Sequence, residues 1–349
     1  MALTTAAAVA GGVTAAAAYL DAKYHISKDL AVITRLKRAE WDYNKQANRV
    51  SIWYTFAESC AQHRNERAIW SRQGSWTFGE MHDQAVRYAQ WLLDQGIKPG
   101  ELVAMYMKNS PEFVILWFAM LCVGAAPAFI NWNLESNALL HCLGVAETKL
   151  IIVDDDPAFL RRINASKEGI EAKGTNIVVL DEALKQEVTA RKAVVPGDEL
   201  RSGVTGAFPY CLIYTSGTTG LPKGCAFTTS RVRLLGSKFG SFFDCIPGQD
   251  CWYNSMPLYH GTGAITASQA LLCGIGIALA PKFSVSNFWT DIHDSNSTWT
   301  IYVGETARYL LNAPPHPLER AHRMRGAYGN GLRPDVWKKF QTRFNIPEI

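Results

Sequence analysis

The sequence predicts an α/β protein of two lobes, each a mainly parallel sheet flanked by helices. Three observations point there. Strand-like apolar runs alternate with helix-period segments along most of the chain. The charge-free stretch from Phe113 to Ile130 is punctuated by Gly124 and Pro127, so it divides into a buried helix and a short strand. A loop rich in glycine and hydroxyls, Tyr214 to Gly224, follows an apolar strand directly. Composition agrees with this reading. With 48% hydrophobic, 11% aromatic and 19% charged residues, the 349-residue chain can bury one large core or two modest ones, which excludes a disordered, collagen-like or small disulfide-stapled protein. The 35 basic and 31 acidic side chains leave a net charge of +4, and the one basic run, around Arg35, Lys37 and Arg38, does not suggest a nucleic-acid partner. Eight cysteines lie in apolar segments with neither a CxxC pair nor zinc-type histidine spacing, the pattern of buried thiols in a reducing compartment.

No side chain from Ala2 to Leu20 is charged. A helix there, rising roughly 1.5 Å per residue, approaches the ~30 Å of a bilayer core, yet Ala, Gly and Thr favour insertion far less than Leu or Ile. Residues 1–20 therefore carry two readings, a membrane anchor or an Ala-rich helix frayed in water. The lack of a basic residue ahead of the stretch argues against a signal peptide. Lys23, Lys28, Arg35, Lys37 and Arg38 follow it, so an anchored chain would be membrane-associated with its remainder in the cytosol.

Residues 21–205 are read as the first lobe. Trp76, Thr77 and Phe78 lead into a helix over 79–95, with Met81, Ala85, Tyr88, Ala89 and Leu92 apolar and Gly96 at its end. Glu101 to Met107 is a strand. Ser110, Pro111 and Glu112 supply a capping hydroxyl, a first-turn proline and an acid at the positive end of the next helix. Ala128 to Ile130, Leu150 to Val153 and Ile177 to Leu180 complete the strands of this lobe. Asp154, Asp155 and Asp156 read as a solvated turn, because adjacent side chains diverge too far to share a metal. Polar residues 184–206 read as a connector. The second lobe, 206–349, begins with the strand Tyr210 to Tyr214 and continues through a helix near 230–240, a strand over 252–256, a helix after Gly263 and a strand over 274–280.

The segment Tyr214-Thr-Ser-Gly-Thr-Thr-Gly-Leu-Pro-Lys-Gly224 carries the chemistry. Glycines let backbone N–H groups turn inward; Thr215, Ser216, Thr218 and Thr219 add hydroxyls and Lys223 a positive charge, a combination suited to a polyphosphate. The spacing is not that of a Walker A loop. The segment resembles the phosphate loop of the adenylate-forming enzymes, which include acyl-CoA synthetases, luciferases and peptide-synthetase adenylation domains. Gly96 to Phe113, with Gly124, Ala125 and Asn131, resembles the amino-terminal lobe of that superfamily, and Met256-Pro-Leu-Tyr-His-Gly261 its next motif. Ala22 to Ile26, Tyr302 to Glu305 with Arg308 to Leu311, and Gly329-Asn-Gly-Leu-Arg-Pro-Asp-Val-Trp337 resemble one branch, the fatty acid transport proteins or very long-chain acyl-CoA synthetases.

The resemblance implies the adenylate-forming large-domain fold and a two-step ligation. A long or very long-chain fatty acid carboxylate attacks the α-phosphate of ATP, giving acyl-adenylate and pyrophosphate; coenzyme A then displaces AMP. Coupling to fatty acid uptake is part of the same implication. Tyr214, Thr215, Ser216, Gly217, Thr218, Thr219, Gly220 and Lys223 would hold the phosphates, with Mg²⁺ carried mainly by the phosphates themselves. His260 would act at the acyl carboxylate and α-phosphate. Gly329, Asn330 and Gly331 would line the adenine, and Gly304 and Glu305 would lie by the acyl tunnel. The implied partners are a fatty acid and a membrane, as surface or anchor, and an oligomer is compatible with them. In the family, a Tyr-Gly-x-Thr-Glu motif, a ribose-binding Asp and a small domain with a catalytic Lys follow the adenine segment. These 349 residues contain none of the three. The expectation is therefore a truncated large domain lacking full activity on its own, with a non-catalytic, membrane-associated remnant that binds lipid or a partner as the competing reading.

Overall fold

Alanine is the strongest helix former, and the amino end is a single helix, Ala2–Tyr24. No helix among the described residues is long and apolar enough to cross a membrane. For the amino helix the reason is the weak insertion tendency of Ala, Gly and Thr. Its described side chains beyond residue 12 are largely exposed, Tyr19 and Tyr24 among them, with the Lys23 ammonium over both rings at 5.8 and 5.2 Å. The computed structural model describes residues 2–24, 26–27, 29–30, 33–34, 49–215, 220–236 and 239–349. The expectations that rest on Lys28, Arg35, Lys37, Arg38 and on Ser216, Gly217, Thr218 and Thr219 lie outside the described residues. The chain divides into two units, Met1–Ala47 and Asn48–Ile349, the second containing both sheets.

In the second unit, β1 (Arg67–Ser71), β2 (Gly74–Thr77), β3 (Leu102–Tyr106), β4 (Ala126–Phe129), β5 (Leu150–Asp154), β6 (Asn176–Leu180), β7 (Pro209–Thr215), β8 (Lys223–Thr228), β9 (Cys251–Asn254), β10 (Gly276–Leu279), β11 (Trp299–Val303) and β12 (Gly326–Asn330) build two six-stranded sheets. Their orders are β6-β5-β3-β4-β7-β8 and β12-β11-β9-β10-β1-β2. The hairpins β1–β2 and β7–β8 are antiparallel and the remaining pairs parallel. The strands do not follow the chain: β1 and β2 join the sheet of β9 to β12, while β7 and β8 finish the sheet of β3 to β6. Residues 205 and 206 therefore do not mark a boundary between sheets.

Local chemistry explains the helices that pack between them. Thr77 and Glu80 form a reciprocal capping box for Phe78–Asp94, with the Glu80 N–H on Thr77 Oγ1 at 3.2 Å and the Thr77 N–H on Glu80 Oε2 at 2.8 Å. Residues 74–77 ahead of it pair as β2. Ser110 caps Pro111–Cys122 through the Phe113 N–H at 3.2 Å, and this helix is buried on nearly all faces. Gly124 ends the turn with φ +73°, and a Cβ there would lie 2.1 Å from the Leu200 carbonyl oxygen, so only glycine fits. The main core lies under these helices. Phe56 of the helix Ile52–Gln62 stacks on Phe118 at 3.9 Å, and Trp117 Nε1 donates to the Tyr210 carbonyl at 3.0 Å.

Two expectations change. Residues 184–206 are not a free connector: they begin within the helix Glu182–Thr189 and end in a turn holding Arg201, whose buried guanidinium donates to the carbonyls of Cys122 and Pro196 and to Asp198. Two carbonyls and a carboxylate accepting from its terminal nitrogens offset much of the cost of burying the guanidinium. The Asp triplet is not simply a solvated turn either. Asp156 caps the helix Pro157–Ala165 and pairs with Lys108, while Asp154 accepts the Lys108 N–H at 3.2 Å, with burial raising its carboxyl above the usual range.

Candidate functional site

Parallel α/β sheets bind ligands beyond the carboxyl ends of their strands, and here the carboxyl ends of both sheets meet. From one sheet come Asn109 after β3, Trp132 after β4 and the turn between β7 and β8. From the other come residues 255–260 after β9. The Trp132 and Tyr259 rings meet edge to face at 4.9 Å, and burial raises the Tyr259 hydroxyl above its usual range. A Cβ on Gly261 would lie 3.3 Å from Ile213 Cδ1 of β7, so the start of the helix Gly261–Leu272 rests on the strand that feeds the glycine-rich turn.

β7 and β8, on either side of that segment, pair as a hairpin. Tyr214 pairs with Gly224 and Thr215 with Lys223 across β7 and β8, which places Lys223, exposed, opposite the last residue of β7. Gly220 has φ +93°, open to glycine at no steric cost. The helix Ser136–Ala146 supports both stems: the Tyr214 hydroxyl donates to the Cys142 carbonyl at 2.7 Å, His141 Nε2 donates to the Pro222 carbonyl at 3.0 Å, and a Cβ on Gly224 would lie 2.9 Å from Val145 Cγ1. Burial pushes the Tyr214 hydroxyl far above the usual phenol range, so it remains a proton donor.

His260 is the residue ahead of the helix Gly261–Leu272, and its exposed ring caps it: Nδ1 accepts the Thr262 N–H at 3.2 Å. That bond puts the proton of the neutral ring on Nε2, leaving a hydrogen-bond donor at the solvent-facing side.

Gly304 and Glu305 open the helix Gly304–Asn312 directly after β11, beside β12. A Cβ on Gly304 would sit 1.9 Å from the Gly331 carbonyl oxygen, and one on Gly329 2.0 Å from the Tyr302 carbonyl oxygen, so these glycines meet backbone to backbone. Asn330 and Gly331, with φ +73°, are exposed beside them. Glu305 is an exposed surface side chain paired with Arg308 at 2.5 Å, which holds its carboxyl below the usual range. The structure thus brings Ile213 of β7 close to Gly261, the neighbour of His260, and Gly304 close to Gly331. The two pairs are connected through the neighbouring strands β9 and β11. Among the described residues no group of three or more His, Cys, Asp or Glu could hold a metal ion.

Asn109, Asn254, Trp132 and His141 do not stand out in the sequence as functional residues. Asn109 lies inside a recognisable segment, but its partners are far along the chain, and nothing local signals them.

The AMP-binding enzyme profile matches residues 56–349, and the chain belongs to this family. It is 38% identical over 99% of its length to isopenicillin N epimerase component 1 of Hapsidospora chrysogena, spanning 52% of that protein. It is 35% identical over 97% of its length to a very long-chain fatty acid transport protein of Cochliobolus heterostrophus, spanning 53% of it. The fold matches the structure described as a Mycobacterium tuberculosis fatty acyl CoA synthetase with a TM-score of 0.76 at 21% identity, over 86% of this chain and 58% of that one. The chain spans about half the length of these curated relatives.

Proposed function

We propose that this chain supplies the nucleotide- and acid-gripping part of a ligase that activates a long or very long-chain fatty acid with ATP, forming an acyl-adenylate destined for coenzyme A. One observation supports the reading: β7, which pairs with the strand that Lys223 opens, meets the start of the helix that His260 caps, where a Cβ on Gly261 would lie 3.3 Å from Ile213 Cδ1.

In the first step a carboxylate oxygen bonds to the α-phosphorus of ATP, and the bond to the bridging oxygen of pyrophosphate breaks. The protein positions the attacking oxygen and offsets charge on the leaving group. Lys223, Thr215 and Gly220, with Ser216 to Thr219, would take the β- and γ-phosphates. The His260 Nε2–H would donate to the reacting carboxylate or α-phosphate. Gly329, Asn330 and Gly331 would flank the adenine, and Gly304 the acyl group. Mg²⁺ would enter on the phosphates and neutralise part of their charge. Coenzyme A is the acceptor in this reading, and the relatives named as transport proteins support work at a membrane, where such acids partition.

The name of the 38% identical relative favours a second reading, in which the activated carboxylate is not a plain fatty acid. Hydroxylamine trapping of the acyl-adenylate, with C16 to C24 acids alongside a panel of other carboxylates, separates the two. A hydroxamate from the long acids that is lost in Lys223→Ala is the expected result. A signal confined to another acid class moves the substrate to the second reading, and no hydroxamate from any acid would leave a binding role without turnover.

A further inference from the structure

The loop that carries His260 is held by two buried carboxamides. Asn254, at the end of β9, accepts the Met256 N–H at 2.9 Å and donates to the Gly263 carbonyl at 3.0 Å. Asn109 belongs to the opposite sheet, three residues beyond β3, and is 4% exposed. Its Oδ1 accepts the Leu258 N–H at 2.8 Å, and its Nδ2 donates to the carbonyls of Met256 at 2.8 Å and Ala280 at 3.1 Å. One side chain therefore bonds to the loops after both β9 and β10. The loop has no slack with which to answer a change. A Cβ on Gly263 would lie 2.5 Å from the Pro257 carbonyl oxygen and 2.7 Å from that of Met256, and the His260 N–H is bonded to Pro257 at 3.1 Å.

We propose that Asn109 is a positioning residue for His260: it fixes Met256 to Leu258 and thereby sets where the imidazole stands relative to the hairpin on the other sheet. The inference rests on the adenylation reading of His260. Because Asn109 is buried behind the loop, it acts on the chemical step rather than on the grip on nucleotide. Displacing a catalytic group by about 1 Å is enough to cost on the order of 100-fold in rate. Asn109→Asp keeps the acceptor and loses both donors, and Asn109→Ala loses all three bonds, which gives a graded pair.

The test is a double-mutant cycle with His260→Ala on the full chain, read as acyl-adenylate formation and as MgATP affinity. Asn109→Ala is expected to lower the rate by roughly 10- to 100-fold with MgATP affinity within about threefold, and to cost nothing further in the His260→Ala background. A merely structural asparagine would give effects that multiply, or a parallel loss of nucleotide affinity; either overturns the proposal while leaving the adenylation reading in place. Amide hydrogen exchange supplies a readout that needs no activity. Residues 258–263 should exchange faster in Asn109→Ala than in the unaltered chain, with β5 unchanged. Unchanged exchange over 258–263 overturns the clamp even if the unaltered chain makes no acyl-adenylate, a result that would instead remove the adenylation reading.

Discussion

Lys223 is the first residue of β8, exposed and opposite Thr215, with no competing carboxylate partner among the described residues. Removing a charged donor from a phosphate costs roughly 1.5–3 kcal/mol, so Lys223→Ala should weaken MgATP binding by about 10- to 100-fold in calorimetry; equal affinity in both proteins would remove the lysine from the site. His322 offers a test of stability instead. Its ring stacks on Trp289, Nδ1 accepts the Met324 N–H at 3.1 Å, and Nε2 donates to the Phe344 carbonyl at 2.9 Å. Burial lowers its pKa below the usual histidine value of 6.5. The unfolded chain then binds more protons between the folded pKa and about 6.5, so stability is complete above that pH and falls as pH drops through the window. Replacing His322 with Asn should flatten the thermal unfolding midpoint between pH 6.5 and 5, and an unchanged slope would contradict this. At this scale the candidate site residues stand out in the sequence and the residues that hold their loops do not. Lys223 and His260 announce themselves through neighbours in sequence, whereas Asn109 bonds to Leu258, 149 residues away.

The helices and strands read most clearly where the punctuation is chemical. Ser110, Pro111 and Gly124 delimit a buried helix that hydropathy alone would extend to Ile130, and Trp76, Thr77 and Phe78 mark the start of the preceding helix within a residue. The strand β8 was illegible because Lys223 to Thr228 lacks alternation: as an edge strand it is exposed over Lys223 to Ala226 on both faces. β2 was illegible for a similar reason, being a short edge strand absorbed into the approach to a helix. The junction of β11 with the helix Gly304–Asn312 carries its own prediction. In Gly304→Ala the new methyl would fall 1.9 Å from the Gly331 carbonyl oxygen, forcing the backbone apart at a cost of about 1–3 kcal/mol. The urea midpoint should drop accordingly, and an unchanged midpoint would mean the two backbones do not touch.

Taken as a molecule, the fold was legible as a class and not as a wiring. Alternating strands and helices announce parallel sheets, but the pairing of Ile69 with Ile277 spans most of the chain and has no local signature. Its consequence is that the second unit cannot be divided in the connector. Residues 48–205 alone would lose β7 and β8 and expose the edge of β4, with β1 and β2 left without a sheet; residues 206–349 would lose the partner of β10. Expressed separately, the two halves should aggregate, and a soluble, cooperatively unfolding half would contradict the interleaved topology. The central claim, that the hairpin of one sheet and the histidine of the other form one adenylation site, is tested most directly by fatty-acid-dependent exchange of pyrophosphate into ATP. The account predicts exchange by the chain that is lost in both Lys223→Ala and His260→Ala; exchange undiminished in both variants would contradict it.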